Sequence, residues 1–160
     1  MRPESLFSMQ NPKIGSLTIS NGGITEIDQA IAAGLCSGMP EKWYKAARLK
    51  YCLDESVKKW VEIELWSECA GIATREQWRM PKGKELLRKM CELAIIELQT
   101  PRLFYLGSPW ALRSEYLGIK KTAWFTNWSK KYEVVYQVLD GWTDSGYRYL
   151  KYKQVDKPEL

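Results

Sequence analysis

The feature that most constrains this chain is a break between two helical patterns, in the stretch from Ser108 to Trp142. Ser108 can cap the first helix, and Pro109 suits its first position, where a missing N–H has no consequence. The first pattern ends at Gly118, because glycine adopts the positive φ of a helix C-terminus without strain. Beyond it, apolar residues recur at steps of three and four and predict a second helix of about five turns with one apolar face. These residues are Trp124, Trp128, Tyr132, Val135, Leu139 and Trp142.

The spacing around this glycine is typical of a DNA-binding helix-turn-helix. Ser114 lies four residues before Gly118 and is small enough to let two helices cross closely. Leu117 and Ile119 flank the glycine and can hold the turn against a core. Trp124 follows six residues after the glycine, where the second helix would pack inward.

In a helix-turn-helix, the N-terminal part of the second helix meets base edges in the major groove. The outward positions there predict a set of DNA contacts: Lys120, Lys121, Thr122, Phe125, Thr126 and Ser129. Arg113, Lys130 and Lys131 are predicted to contact phosphates. From Ser108 to Lys131 the chain carries five basic residues and one acidic residue, which favours a polyanionic partner. The alternative is a pair of helices whose solvated surface is basic without binding DNA.

Two residues of the second helix depart from the usual pattern. Phe125 is an unusual residue for a position facing the groove, and it could either contact a thymine methyl group or belong to the core. Asn127 stands where many such motifs carry an apolar residue, so the apolar face passes through Trp128 instead.

Length and charge agree with this interpretation. A chain of 160 residues suits one domain, or two small lobes that share a core. The net charge is +5, and residues 101–160 hold ten basic and six acidic residues, so most of the excess lies with the predicted motif. The sequence therefore predicts double-stranded DNA as a partner.

The rest of the chain predicts further helices and almost no strands. Residues 1–23 mix Pro, Ser, Asn and Gly and are expected to form a flexible N-terminal arm. Residues 24–100 are expected to form a helical bundle, with helices near 25–35, 41–52, 54–69 and 82–99. Residues 101–160 hold the helix-turn-helix and a C-terminal tail, with a break expected at 143–146. The predicted fold class is all-α: a helical bundle followed by a C-terminal helix-turn-helix with a long second helix.

Several classes of function are not expected. The chain has no histidine, the commonest general acid–base, and no phosphate-binding glycine motif, so we expect no enzyme. The four cysteines lack a Cys-x-x-Cys pair, so we expect buried reduced thiols and neither a metal site nor a cofactor. No apolar run approaches a membrane span and no signal peptide precedes residue 20, which predicts a cytoplasmic protein.

Two runs of the sequence resemble one protein family. The run WALRSEYLGIKKTAWFTNWSKKYEVVYQVLDGW, from Trp110, resembles the C-terminal motif of phage late-gene antitermination proteins of the Q type, in their smaller, helix-turn-helix members. The run LCSGMPEKWYKAARLKYCLDESVKKWVEIEL, from Leu35, resembles the first helices of the same family.

The resemblance implies a sequence-specific DNA-binding transcription antitermination factor. Such a factor binds a DNA element near a late promoter, loads onto bacterial RNA polymerase paused there, and travels with it past terminators in the cytoplasm of the host cell. By position, the recognition helix would use Lys120, Lys121, Thr122 and Thr126. The resemblance assigns no residue to the polymerase contact.

Two other functions remain open from the sequence. One is a phage DNA-packaging protein similar to the small terminase, which also carries a helix-turn-helix. The other is an all-α protein-binding adaptor that uses the tryptophan-rich face of the second helix as its docking surface. Self-association on DNA also remains possible.

Overall fold

The computed structural model describes residues 38–79 and 84–156, with side chains described as far as residue 152. Within these ranges every regular element is helical, so the predicted all-α class is confirmed. The expected N-terminal arm, the helix near 25–35 and Cys36 lie outside the described residues.

The first part of the described chain contains three longer helices. Helix α1 spans Glu41–Tyr51, a 3-10 turn spans Glu55–Val57, α2 spans Lys58–Arg75 and α3 spans Lys84–Gln99. The bounds of α1 and the end of α3 agree with the sequence prediction. Helix α2 runs past Cys69, where the sequence had placed its end.

The longer α2 has a local cause. The residues that follow Cys69 in α2 include no proline and only one glycine, Gly71. Within the helix, the Thr74 hydroxyl donates to the Ala70 carbonyl at 2.9 Å. The helix ends where Gln77 takes a positive φ of 54°. The Trp78 amide then bonds back to the Ala73 carbonyl at 2.9 Å, which satisfies a carbonyl of the last turn.

The second part of the described chain contains the helices predicted before and after Gly118, preceded by one short helix. Helix α4 spans Pro101–Tyr105 and α5 spans Pro109–Leu117. Helix α6 covers Lys121–Ala123, a π-helical turn covers Trp124–Trp128, and α7 covers Ser129–Asp156. These last three elements follow one another directly, and we call them together the second helix.

The break expected at residues 143–146 is wrong, because α7 continues through it. Thr143 lies within α7 and is completely buried. A Cβ atom at Gly146 would lie 2.9 Å from the Trp43 carbonyl oxygen, so glycine at this position allows α1 to approach closely. The glycine thus serves helix packing and does not end the helix.

The described residues fall into two compact units. The first, which we call the central unit, comprises residues 59–79 and 84–140, and the second comprises residues 38–58 and 141–156. This division groups the predicted helix-turn-helix with α2 and α3, whereas the sequence-based division separated them at residue 100. In the second unit, Ala47, Cys52 and Leu150 form a small buried cluster.

The core of the central unit comes from α2, α3 and the second helix. Val61, Leu65 and Cys69 are fully buried at a spacing of four residues along α2. Helix α3 contacts both α4 and α5. The second helix adds five residues that are at most 5% exposed: Trp124, Trp128, Tyr132, Val135 and Leu139. Trp142, also 5% exposed, continues the same face within the second unit, so the predicted apolar face is confirmed.

Candidate nucleic-acid interface

The turn after α5 is built around Gly118. Its backbone adopts φ 68° and ψ 32°, the left-handed conformation that glycine takes without a Cβ penalty. The Ile119 amide donates to the Ser114 carbonyl at 2.9 Å, and the Gly118 amide donates to the Glu115 carbonyl at 3.1 Å. These bonds satisfy the last carbonyls of α5, as in other helix ends closed by glycine. The positive φ predicted from the sequence is confirmed.

The side chains around the turn lie where the sequence placed them. Ser114 is 6% exposed and Leu117 is 4% exposed, so both face the core. Ile119 is partly buried. Lys120 is extended, with its carbonyl accepting a hydrogen bond from the Trp124 amide at 2.9 Å, and the second helix begins from there.

The π-helical turn keeps two tryptophans on the buried face. The Ser129 amide donates to the Trp124 carbonyl, five residues earlier, so this turn winds less per residue than an α-helix. Trp124 and Trp128 stand at the two ends of this turn, and both are buried. The Trp124 ring centroid lies 5.9 Å from that of Tyr132, at an interplanar angle of 50°.

Most of the predicted DNA-contacting residues lie on the exposed side of the second helix. Six are exposed: Lys120, Lys121, Thr122, Phe125, Thr126 and Lys130. Ser129 and Lys131 are partly buried. We call these eight residues the lysine face. Phe125 is 53% exposed, so it lies on the surface and does not belong to the core.

Some side chains of the lysine face already have partners. The Lys121 ammonium lies 4.9 Å from the centroid of the Trp110 ring. The Lys131 ammonium lies 4.6 Å from that of Trp128 and donates to the Asn127 side-chain oxygen at 2.6 Å. Burial lowers the pKa of Lys131. Two of the lysines are thereby held at defined positions by aromatic rings.

Thr126 also makes a bond within the helix. Its hydroxyl donates to the Thr122 carbonyl at 2.8 Å. The oxygen atom can still accept a hydrogen bond, and the methyl group still projects from the exposed face. Thr126 can therefore accept from a base amino group or contact a thymine methyl.

Unlike the lysines, Arg113 is bound by a carboxylate, that of Glu97 on α3. Its Nε and Nη2 atoms each donate to Glu97, both at 2.8 Å. The guanidinium also lies 5.3 Å from the Tyr132 ring centroid and 5.8 Å from that of Phe104. Burial alone would lower the pKa of Arg113, but the hydrogen bonds and charge of Glu97 raise it. Because its charge is already balanced by Glu97, through two of its five N–H groups, we leave Arg113 out of the proposed DNA contacts.

Glu97 is a structural residue that the sequence analysis missed. It is 5% exposed and accepts hydrogen bonds from Arg113 and from the Tyr132 hydroxyl, the latter at 3.0 Å. Burial raises the pKa of Tyr132, and the neighbouring Glu97 charge raises it further. The signal was present, since Glu97 occupies an inward position of α3 next to Ala94 and Leu98, where a carboxylate requires a partner.

An open cleft of about 560 Å³ lies beside the lysine face, within the central unit. It is bounded by α4, α5 and the second helix, and the Arg113–Glu97 pair forms part of its lining. We call it the aromatic cleft, because half of its lining residues are aromatic: Tyr105, Trp110, Trp124, Phe125, Tyr132 and Tyr136. Phe125 packs against Trp110 with ring centroids 5.5 Å apart.

A second basic surface lies at the start of α3. The Lys84 ammonium and the Arg88 guanidinium lie 5.7 and 5.8 Å from the Trp66 ring centroid. Lys84, Arg88 and Lys89 line a shallow depression together with Glu85 and Glu92. The two acidic residues offset much of this positive charge.

The described residues gather no group of three or more side chains of the types that bind metal ions. Cys52, Cys69 and Cys91 are buried and reduced. A hydrogen bond with Cys69 raises the pKa of Cys91 well above its usual range, and burial raises it further. None of the helices in the described ranges combines the length and the apolar character needed to cross a membrane.

Comparison with known proteins leaves the geometry as the main guide to function. No protein-family model matched this chain, and neither did any curated protein or solved structure.

Proposed function

We propose that this chain binds double-stranded DNA sequence-specifically through the lysine face, and acts as a transcription antitermination factor on RNA polymerase paused near a phage late promoter. The observation that carries the DNA-binding part is the surface that follows the Gly118 turn. There, lysine and threonine side chains are exposed on the first turns of a helix whose opposite side is buried.

The charges of this surface suit a duplex backbone. Lys120, Lys121 and Lys130 are exposed, and Lys131 is partly exposed beside Trp128. Lysines that neutralise phosphates release counterions, which supplies affinity for any duplex sequence. Phosphate contacts of this kind also fix the register of a helix on DNA.

The same surface offers groups that can read bases. Thr122 and Thr126 lie one turn apart, and both are exposed. Each threonine combines a hydroxyl with a methyl group and carries no charge that would raise non-specific binding. We assign sequence preference to this pair and general affinity to the lysines.

The antitermination part rests on the resemblance to Q-type proteins. The implied partner is bacterial RNA polymerase, and the implied location is the cytoplasm of the host cell. Helix α4 and the residue after it add a feature that suits contact with another protein. Leu103, Tyr105 and Leu106 are exposed there by 56, 76 and 84%. Three large apolar side chains this close together on a surface are unusual unless they serve an interaction.

The adaptor alternative loses the surface on which it depended. The tryptophans of the second helix are buried within the chain, with Trp124, Trp128 and Trp142 at most 5% exposed. A partner could reach this face only by displacing the core.

The DNA-binding part is tested by selecting fragments of the phage and host genomes with the purified protein. We expect a defined site close to a promoter. On that site, the double variant Thr122→Ala/Thr126→Ala should lower the ratio of specific to random DNA affinity severalfold, because each lost base contact costs about 1–3 kcal/mol. A ratio that stays constant while total affinity falls would show that sequence is read elsewhere.

Thr74→Ala is a matched control for this variant. The Thr74 hydroxyl donates to the carbonyl four residues earlier, as the Thr126 hydroxyl does, but Thr74 lies on α2 and is not part of the lysine face. This control should leave the affinity ratio unchanged.

The antitermination part needs its own assay. Transcription from a promoter beside the selected site, through a downstream terminator, should give more full-length RNA when the protein is present. Equal termination with and without bound protein would reject this part and leave DNA binding intact.

A further inference from the structure

The aromatic cleft has a lining that suits a flat ring. Six of its twelve lining residues are aromatic, and the only aliphatic side chain among them is that of Pro109. Four of the aromatic residues keep accessible surface, namely Tyr105, Trp110, Phe125 and Tyr136, whereas Trp124 and Tyr132 are each 2% exposed. Peptide segments usually dock through aliphatic as well as aromatic anchors, so this composition favours a ligand that stacks. The volume of about 560 Å³ lies within the usual range of small-ligand sites, about 300–1,000 Å³.

Polar groups at the edge of the cleft suit the rim of a nucleobase. Ser129, Glu133 and Gln137 lie along one side of it, on successive turns of the second helix. A hydroxyl, a carboxylate and a carboxamide can together donate to and accept from the edges of a base. Tyr136 also lines the cleft, and its phenolic hydroxyl adds a further donor.

Positive charge adjoins the stacking surfaces. The Lys121 ammonium sits 4.9 Å from the Trp110 ring centroid, and Trp110 forms part of the cleft wall. Inside the cleft, the Arg113–Glu97 pair balances its own charges. Aromatic faces flanked by cations are the arrangement that proteins use to bind single-stranded nucleic acid.

We propose that the aromatic cleft binds an unpaired base of a DNA strand, extruded from the duplex that the lysine face holds. The proposal rests on the DNA-binding function proposed above and adds a second binding site to it. The phosphate of the captured nucleotide meets Lys121, and the base stacks on the aromatic wall. Such a site favours melted DNA over paired DNA, as found within a transcription bubble. Phe125 and Ser129 belong to both surfaces, so the two sites adjoin directly.

The test compares two probes on the full chain at low salt. One is a fluorescein-labelled duplex, and the other is the same duplex with a central mismatched loop. Stacking of a single base on an aromatic side chain supplies at least about a fivefold gain in affinity, so we expect the looped probe to bind at least that much more tightly. A 2-aminopurine in the loop should lose fluorescence on binding as it stacks.

The variants locate the base. Tyr105→Ala/Trp110→Ala should bring the two affinities close to one another. Because Trp110 also holds Lys121, the readout is the ratio of the two affinities and not the affinity for the paired duplex. Tyr105→Ala alone removes a side chain that is 76% exposed and so keeps the fold, and it should reduce the preference by itself. Leu112→Ala is the control, because Leu112 lies on α5 and is 42% exposed but does not line the cleft.

Each contrary result has a separate meaning. Equal binding of both probes by the unaltered chain would overturn the cleft proposal while DNA binding stands. A preference that survives in folded Tyr105→Ala and in the double variant would also overturn it, since the base would then bind elsewhere. Absence of binding to either probe would reject both proposals and leave an aromatic peptide side chain as the candidate occupant.

Discussion

Arg113 donates two hydrogen bonds to Glu97, from Nε to one carboxylate oxygen and from Nη2 to the other, both at 2.8 Å. The Tyr132 hydroxyl donates to the same carboxylate at 3.0 Å. One buried carboxylate on α3 therefore holds both α5, which precedes the Gly118 turn, and the second helix, which follows it. Hydrogen bonds between charged groups in this paired geometry are roughly twice as strong as those between neutral groups.

The two halves of this pair should differ in their contribution to stability. Arg113→Met would leave the Glu97 carboxylate buried without its cation, and breaking a buried pair in this way costs about 3 kcal/mol. Glu97→Gln should cost less, because the Arg113 side chain is 24% exposed and can reach water. Urea unfolding of both variants measures the free energies. In the double variant the loss should be smaller than the sum, and additive losses would show that the pair contributes little.

The sequence predicted the turn and the apolar faces because these depend on local patterns. Gly118, Ser114 and the tryptophans of the second helix could be placed from spacing alone, since helical periodicity fixes which residues share a face. The helix around Gly146 was predicted wrongly, because the close approach of α1 at Trp43 is a tertiary contact.

The candidate site was predicted less completely than the fold. Exposed lysines and threonines follow from helix phase, which is why most of the lysine face was found. The role of Arg113 depends on Glu97, sixteen residues earlier, and no local pattern connects them. The aromatic cleft likewise depends on how α4 and α5 meet the second helix, as in the contact between Trp110 and Phe125.

Asp54 should make stability depend on pH. Its carboxylate accepts hydrogen bonds from the Ser56 amide at 3.0 Å and from Arg48 Nε at 2.7 Å. Burial tends to raise the pKa of Asp54, but hydrogen bonds from Ser56 and Arg48 outweigh it and lower the pKa from its ordinary value of 3.8. The contribution is therefore complete above pH 3.8 and is lost as pH falls through the lower folded-state pKa.

Asp54→Ala tests this dependence. Loss of the helix-capping interaction should lower the free energy of unfolding by about 1 kcal/mol at neutral pH. The difference from the unaltered protein should shrink as pH falls below 3.8. A difference that stays constant down to the acid-unfolding transition would mean that the carboxylate charge is not involved.

Gly118→Val should destabilise the turn by about 1–3 kcal/mol, because a β-branched residue is strained at a φ of 68°. No atom lies within 4 Å of a Cβ built at this position, so the cost is one of backbone conformation and not of space. Gly118→Asn should therefore be tolerated better, since asparagine accepts left-handed conformations more readily. Thermal unfolding compares the two variants, and equal melting temperatures would contradict this account of the turn.

Gly141→Ala provides the matched control for a change at glycine. Gly141 lies inside α7, and a Cβ there also meets no atom within 4 Å. Alanine in a helix is favoured over glycine by roughly 0.5–1 kcal/mol, so this variant should be more stable than the unaltered chain.

The most direct test of DNA binding by the lysine face is the salt dependence of duplex affinity in two charge-matched variants. Lys120→Ala/Lys130→Ala removes two positive charges from the lysine face, and Lys84→Ala/Lys89→Ala removes two from the basic surface of α3. We expect the first variant to flatten the slope of log K against log salt by about 0.9 for each lost phosphate contact, and the second to leave it unchanged. Equal slopes in all three proteins, or flattening only in the α3 variant, would contradict the assignment of DNA binding to the lysine face.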